Sequence, residues 1–303
     1  MNIRDLEYII AVSEEQHFGK AAKKCNVSQP ALSGQIRKLE DYIGVTLFER
    51  TSRSVKTTAI GEDIIVKAKQ LVSLSDEIFD MAQNSKDPLS GPFKLGMITT
   101  IAPYLSPLIL SSIRQQLPKV SLTLVEGLTT DLEKAVAEGE LDGAITATSP
   151  IPTQLNDNPL YDEPFWIALP KFHKLASRRS IDLSEIDPKE LLLLADGHCL
   201  RDQILDICHT NEGINHTNTR QTSLGTLLAL VEAGDGVTLV PALTKPAANN
   251  AHGTIVICPE RSGTAGRRVR LISRASFPRT ELLNNLASTI RTNLPTDLVQ
   301  IVG

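Results

Sequence analysis

A chain of 303 residues with 41% hydrophobic and 22% charged residues has the make-up of a globular protein of about two domains. Its longest pure apolar runs are of the 191–195 kind, far short of the ~20 residues a spanning helix needs, so no membrane partner is expected. Aromatic residues are only 4%, which disfavours base-stacking RNA modules. The formal net charge of −4 conceals an asymmetry: residues 1–60 carry nine Lys/Arg against seven Asp/Glu, the remainder 22 against 28. A basic segment on an acidic chain suggests contact with a polyanion, although a solvated helix surface has the same signature. Asp5 and Glu7 fall where a signal peptide needs an apolar core, and four cysteines are too few for a disulfide framework. A reducing, cytoplasmic location is therefore expected.

Leu6, Ile9 and Ile10 recur at helical spacing, so the chain opens with an amphipathic helix. Residues 18–24 read as a second, short helix in which Ala21 and Ala22 permit close contact, and 26–28 as a turn. Pro30 then suits a first helical position, with Ser28 and Gln29 as capping candidates. Ala31, Leu32, Ile36 and Leu39 form a stripe that leaves Ser33, Gln35, Arg37 and Lys38 largely outside it. Two short helices, a turn and a polar-faced second helix make a helix-turn-helix, whose second helix would enter the major groove of double-stranded DNA. Residues 44–50 and 51–56 read as a hairpin wing carrying Arg50 and Arg53.

The run AAKKCNVSQPALSGQIRKLEDYIGVTLFERTSR resembles the N-terminal domain of LysR-type transcriptional regulators, nearly without interruption. The resemblance implies that Ser28, Gln29, Pro30, Ser33, Gln35, Arg37, Arg50 and Arg53 lie at or near promoter DNA. Cys25, in the turn, is expected to be a small buried hydrophobe.

Residues 61–83 read as one helix, with Ile64, Ala68, Leu71, Val72, Ser75, Ile78, Phe79 and Ala82 every three or four residues. A stripe that long without a neighbouring core calls for a partner helix, hence a homodimer, with packing inside the chain as the alternative. Residues 84–92 are polar and rich in Pro, Gly and Ser, and read as a hinge. Beyond it, strands are expected at 93–98, 120–126 and 141–147. Thr99-Thr100 is expected to cap a helix to about Leu117, and Thr129 to open another that stops near Gly139. Alternating β and α elements predict a parallel sheet. Further strands are expected at 165–170, 191–194 and 236–240, with a helix at 224–233. Residues 267–273 and 281–294 are expected to return to the first lobe. The expected fold is α/β: a winged helix-turn-helix over 1–60, a linker helix, and a two-lobed regulatory domain over 93–303. Lobe I takes about 93–162 and 268–303, and lobe II about 163–267. Thr100 and Thr129, at helix starts facing a cleft, are candidates to hold a small polar ligand, although plain capping explains a lone threonine there.

In 195–209, ADGHCLRDQILDICH, a turn at Asp196-Gly197 precedes a helical stripe of Leu200, Ile204 and Ile207. Cys199 would sit at a helix N-terminus beside His198 and Arg201, a setting that favours the nucleophilic thiolate. If 199–208 is helical, Cys199 and Cys208 are separated by ~13.5 Å along the axis and lie on opposite faces. A disulfide between them would require the helix to unwind. Ordinary thiols, a redox pair and a soft metal site (His198-Cys199 with Cys208-His209) all remain open on spacing alone.

GHCLRDQ with a cysteine at that distance, together with TIAPYLSP, VEGLTTDL, YDEP, TSLGTL and VTLVPAL in order, is similar to the peroxide-sensing members of the LysR type. This resemblance covers essentially the whole chain. It implies that hydrogen peroxide oxidises Cys199, that Cys208 closes a disulfide with it, and that Thr100, Thr129, His198, Arg201, Asp202 and Arg267 (or Arg268) shape the peroxide site. It further implies a regulatory domain similar to periplasmic binding proteins, a dimer of dimers on DNA controlling antioxidant genes, and RNA polymerase as a partner. A glutaredoxin or thioredoxin would serve as reductant, with no cofactor, no metal and no enzymatic turnover. The alternatives are a metal sensor, a regulator of the same type for an organic effector, and a thiol peroxidase, the last lacking the usual CxxC. Thr99, where proline is expected, and Gly225, where an acidic residue is common, depart from the pattern. Cys258, at the end of an apolar run, reads as structural.

Overall fold

The computed structural model describes residues 1–50, 55–84, 87–149, 155–208, 223–246 and 254–302. The chain divides into two units, residues 1–87 with 137–140 and residues 88–136 with 141–303.

The first unit opens with α1 (Ile3–Glu15), α2 (Phe18–Lys24) and α3 (Gln29–Ile43). Asn2 and Asp5 form a reciprocal cap: Asp5 N–H donates to Asn2 Oδ1 (3.0 Å) and Asn2 N–H to Asp5 Oδ2 (2.8 Å). Ser28 caps α3, accepting from Ala31 N–H at 3.4 Å. Leu6, Ile9 and Val12 from α1 meet Ala21 and Ala22 from α2 and Leu32, Ile36 and Leu39 from α3 in one core, whereas Ala31 is exposed. The expected wing is present as β1 (Phe48–Arg50) antiparallel to β2 (Val55–Thr57), Arg50 facing Val55. It is anchored from α3, because Glu40 Oε1 accepts from the N–H groups of Leu47 (2.8 Å) and Phe48 (3.2 Å).

The linker helix runs further than expected, as α4 (Ala59–Asn84). Its beginning packs inside the chain, Ile65 and Ala68 being buried in the same core as α1. Further along, Leu71, Leu74, Ile78 and Phe79 are exposed, Phe79 at 69%. The packing reading thus holds for the first half of the helix, and the later apolar positions are left exposed.

The second unit contains β3 (Gly91–Ile98), α5 (Ala102–Gln116), β4 (Val120–Gly127), α6 (Thr129–Glu138), β5 (Gly143–Thr146) and β6 (Leu155–Pro170). There follow α7 (Cys199–Cys208), α8 (Leu224–Ala233), β7 (Thr238–Pro241), β8 (Ile255–Pro259), β9 (Gly266–Arg274), α9 (Thr280–Thr292) and β10 (Gln300–Ile301). The strand order is β10-β6-β9-β5-β3-β4, with β7 and β8 also on β6.

Four expectations need correction. The sheet is mixed: β3 is parallel to β4 and β5, but every pairing of β6 and β9 is antiparallel. The cause is that β8 and β9 run back along β6 in succession, so the return path opposes it. The strand expected at 165–170 is only the end of β6, whose earlier part carries Asn156, Asp157 and Asn158 and a register shift between Pro159 and Tyr161. Residues 191–194 form no strand beyond a single bridge from Leu191 to Val237; Leu191, Leu192 and Leu194 are apolar because they are buried. The hinge is shorter than 84–92, since Gly91 and Pro92 already pair with Val120 and Ser121. The buried Arg279 guanidinium also holds this stretch, donating to the carbonyls of Pro88 (3.3 Å), Ser90 and Pro92 (2.7 Å).

Candidate functional site

Three chain segments converge on one small cavity. The end of β3 brings Ile98, Thr99 and Thr100; the β4–α6 junction brings Gly127, Leu128 and Thr129; the approach to α7 brings Gly197, His198 and Cys199. The cavity measures about 10 Å³, the size of a single water-sized probe.

Local chemistry explains how each side chain arrives there. Gly197 has φ +92, a left-handed turn that swings the chain from the buried 191–194 run into α7. Cys199 is the first residue of α7, where unpaired backbone N–H groups present partial positive charge. Thr129 opens α6 as expected, and its hydroxyl is buried with no hydrogen-bond partner among the described residues. A buried hydroxyl in that state costs about 1–3 kcal/mol. Thr100 does not cap α5: the helix begins at Ala102 after a tight turn in which Ile101 N–H donates to Ile98 O (2.8 Å), and no side chain caps it. The Thr100 hydroxyl instead accepts from Arg267 Nη1 at 2.9 Å.

His198 is buried, and burial lowers its pKa, so its imidazole is neutral near pH 7. Its Nδ1 lies 3.5 Å from the Thr99 hydroxyl. The contact between Thr99 and His198 was not legible in the sequence, because the two residues are 99 positions apart.

The remaining site candidates are placed around the cavity rather than in it. Arg201 turns back: its Nε lies 3.0 Å from Asp196 Oδ1 and its Nη1 donates to Leu194 O at 3.2 Å, pinning the turn before α7. Asp202 is exposed in the first turn of α7. Arg267 is buried and reaches the cavity through Thr100, whereas Arg268 is exposed and paired with Asp162 at 2.7 Å. Cys208 ends α7, half-buried against the apolar cluster that includes Leu200, Ile204 and Leu227, and burial raises its pKa. Gln203 Nε2 donates to Ala147 O at 2.8 Å, clamping the middle of α7 to the segment after β5. Cys25 is half-buried at the end of α2, and the buried Cys258 donates its S–H to Arg178 O (3.2 Å). Among the described residues no cluster of three His, Cys, Asp or Glu is arranged for a metal ion; His209 lies outside them.

On the first unit, Ser28, Gln29, Pro30 and Arg37 are exposed and Ser33 half-exposed along the opening turns of α3. Gln35 is engaged inward, its Nε2 donating to Asp5 Oδ1 at 3.1 Å. The side chain of Arg50 and the whole of Arg53 lie outside the described atoms.

Comparison with known proteins follows this division. Residues 3–62 match the family described as bacterial regulatory helix-turn-helix protein, lysR family, and residues 86–295 match the LysR substrate binding domain. The hydrogen peroxide-inducible genes activator of Pectobacterium carotovorum is 40% identical over 294 residues, 97% of each chain. A cysteine-to-aspartate variant of full-length OxyR from Pseudomonas aeruginosa superposes with a TM-score of 0.81 at 36% identity, covering 96% of this chain and 95% of that one. A hydrogen-peroxide-bound OxyR variant from Corynebacterium glutamicum gives a TM-score of 0.65 at 33% identity, covering 96% and 92%.

Proposed function

The chain belongs to the LysR family of bacterial regulatory helix-turn-helix proteins, and we propose that within it this protein senses hydrogen peroxide through Cys199 and Cys208 and controls antioxidant genes. The observation that carries this reading is the water-sized cavity that joins Cys199, at the start of α7, to the orphaned Thr129 hydroxyl.

The chemistry runs in two steps. The Cys199 thiolate attacks one peroxide oxygen; the O–O bond breaks, an S–O bond forms, sulfur loses two electrons and the other oxygen leaves as hydroxide, which takes up a proton as water. Thr100 and Thr129 hydrogen-bond the peroxide, and His198 acts as a neutral donor or acceptor. The Cys208 thiolate then attacks the sulfenic acid, forming the S–S bond and releasing hydroxide. With the cysteines at opposite ends of α7, the second step proceeds only through an unwound segment. A dithiol partner such as a glutaredoxin or thioredoxin reverses it. One peroxide sets one switch and one dithiol resets it, and the output is the change in DNA binding rather than a product.

Ser28, Gln29, Pro30, Ser33, Gln35, Arg37, Arg50 and Arg53 serve the DNA contact, Gln35 also holding α3 to α1. The exposed Leu71, Leu74, Ile78 and Phe79 face of α4 serves the homodimer, and two dimers meet on promoter DNA beside RNA polymerase, in the cytoplasm. No helix among the described residues is long and apolar enough to cross a membrane. The test is a DNA footprint before and after about one equivalent of peroxide. A footprint that shifts and reverts with a dithiol supports the reading, and one that responds only to an organic molecule overturns it. Arg37→Ala is expected to weaken binding and lower the slope of log affinity against log salt by about one; an unchanged slope would remove Arg37 from the interface.

The sequence of α7 bears on the speed of the second step. Its last turn holds Asp206 and no basic residue, so an acidic charge sits at the negative end of the helix dipole. Asp206→Lys is expected to stabilise the helical state by about 0.5–1.5 kcal/mol and to slow disulfide closure about three- to ten-fold. Quenched mass spectrometry after peroxide addition reads this directly; closure at the wild-type rate would show that unwinding does not limit it.

A further inference from the structure

We infer that Glu163 is a positioning residue for the peroxide cavity, acting through Arg267 to orient the Thr100 hydroxyl. The inference rests on the peroxide reading above. Glu163 and Arg267 face each other across β6 and β9, their side chains each 1% exposed. Arg267 Nε donates to Glu163 Oε2 at 2.9 Å, while Nη1 and Nη2 donate to the hydroxyl (2.9 Å) and the carbonyl (3.2 Å) of Thr100. A planar guanidinium engaging both the side chain and the backbone of one residue fixes that residue's rotamer and its place in the chain. With one lone pair of the hydroxyl occupied by Arg267, its hydrogen is left to donate elsewhere, and Thr100 lines the cavity. Arg267 does not line it, so its influence on peroxide passes through Thr100.

Glu163 holds the far end of this relay. Its second oxygen, Oε1, accepts from Leu243 N–H at 3.0 Å. The carboxylate is thus fixed between the Arg267 guanidinium and the short turn of helix after β7, and the guanidinium cannot roll without breaking that arrangement. One carboxylate consequently joins the β6–β9 crossing, the segment after β7 and the cavity wall. A purely structural ion pair would stabilise the crossing without touching the chemistry, and the two roles differ in a measurable way.

The test compares two reactions of the same sulfur in the full-length protein: oxidation of Cys199 by hydrogen peroxide, which uses the Thr100 donor, and alkylation by iodoacetamide, which does not. Glu163→Gln is expected to slow oxidation by about ten-fold with alkylation within about two-fold of wild type, and Glu163→Asp to restore part of the loss. In a Thr100→Val background, Glu163→Gln is expected to have little further effect, because both changes remove the same donor. Equal losses in both reactions, or effects that multiply in the double variant, would overturn the inference. If circular dichroism shows Glu163→Gln unfolded, the same cycle is read with Glu163→Asp. Wild-type Cys199 inert to peroxide would defeat the peroxide reading itself. A reactive wild type with indifferent Glu163 variants would defeat only the role of Glu163.

Discussion

Thr129→Val is expected to slow oxidation of Cys199 by hydrogen peroxide about ten- to hundred-fold while leaving the folded state as stable as wild type or more so. The two expectations share one cause. The Thr129 hydroxyl is buried with no partner among the described residues and shares a cavity with Cys199, so valine, nearly the same shape, removes a polar atom that no described residue uses. What is lost is a hydrogen bond made only when peroxide occupies the cavity, and about 1.4–2.8 kcal/mol of transition-state stabilisation corresponds to that rate range. Thr100→Val should slow the same reaction but also destabilise, because it strips Arg267 Nη1 of its acceptor. Stopped-flow oxidation with urea denaturation on both variants checks the pattern. A Thr129→Val protein with wild-type peroxide kinetics would remove Thr129 from the site.

Cys208→Ser is expected to stop the reaction at a sulfenic acid on Cys199, trapped by dimedone in nearly every chain, with the footprint of the reduced protein retained. In wild type the disulfide requires Cα atoms within about 7 Å, whereas the helix separates residues 199 and 208 by ~13.5 Å along its axis. On the proposed mechanism the cross-link, rather than the oxidation itself, drives the conformational change. Burial raises the Cys208 pKa, so at neutral pH it is a protonated thiol until α7 loosens. A raised pKa means that thiolate grows as pH rises, so the closure step should accelerate from neutral to alkaline pH in wild type and vanish in the variant. Mass spectrometry of chains quenched across that range reads both. A Cys208→Ser protein that shifts its footprint on sulfenic acid alone would place the switch at Cys199 and leave Cys208 as packing.

The sequence made legible whatever depends on neighbours along the chain. The helices of the first unit, the Ser28 cap and α7 from residue 199 to 208 all follow from apolar spacing and capping residues. The grouping of Thr100, Thr129, His198 and Cys199 was legible through family likeness, and the cavity brings those four together. Contacts set by sheet topology were not legible. The first part of β6 lacks alternation because Asp157 and Asp162 face Arg270 and Arg268 on β9 rather than a core. Thr100 reads as a cap locally and becomes an acceptor for Arg267 only because β9 passes beside it. Arg201 reads as a neighbour of Cys199, yet Asp196 and the Leu194 carbonyl claim it first.

The measurement that tests the central claim most directly is non-reducing peptide mapping of the full-length protein after about one equivalent of hydrogen peroxide, alongside Cys199→Ser. The account predicts one linked peptide pair, Cys199 with Cys208, with Cys25 and Cys258 still free, and no such pair in the variant. Cys199 and Cys208 both remaining free, or Cys199 paired with Cys25 or Cys258, would contradict it.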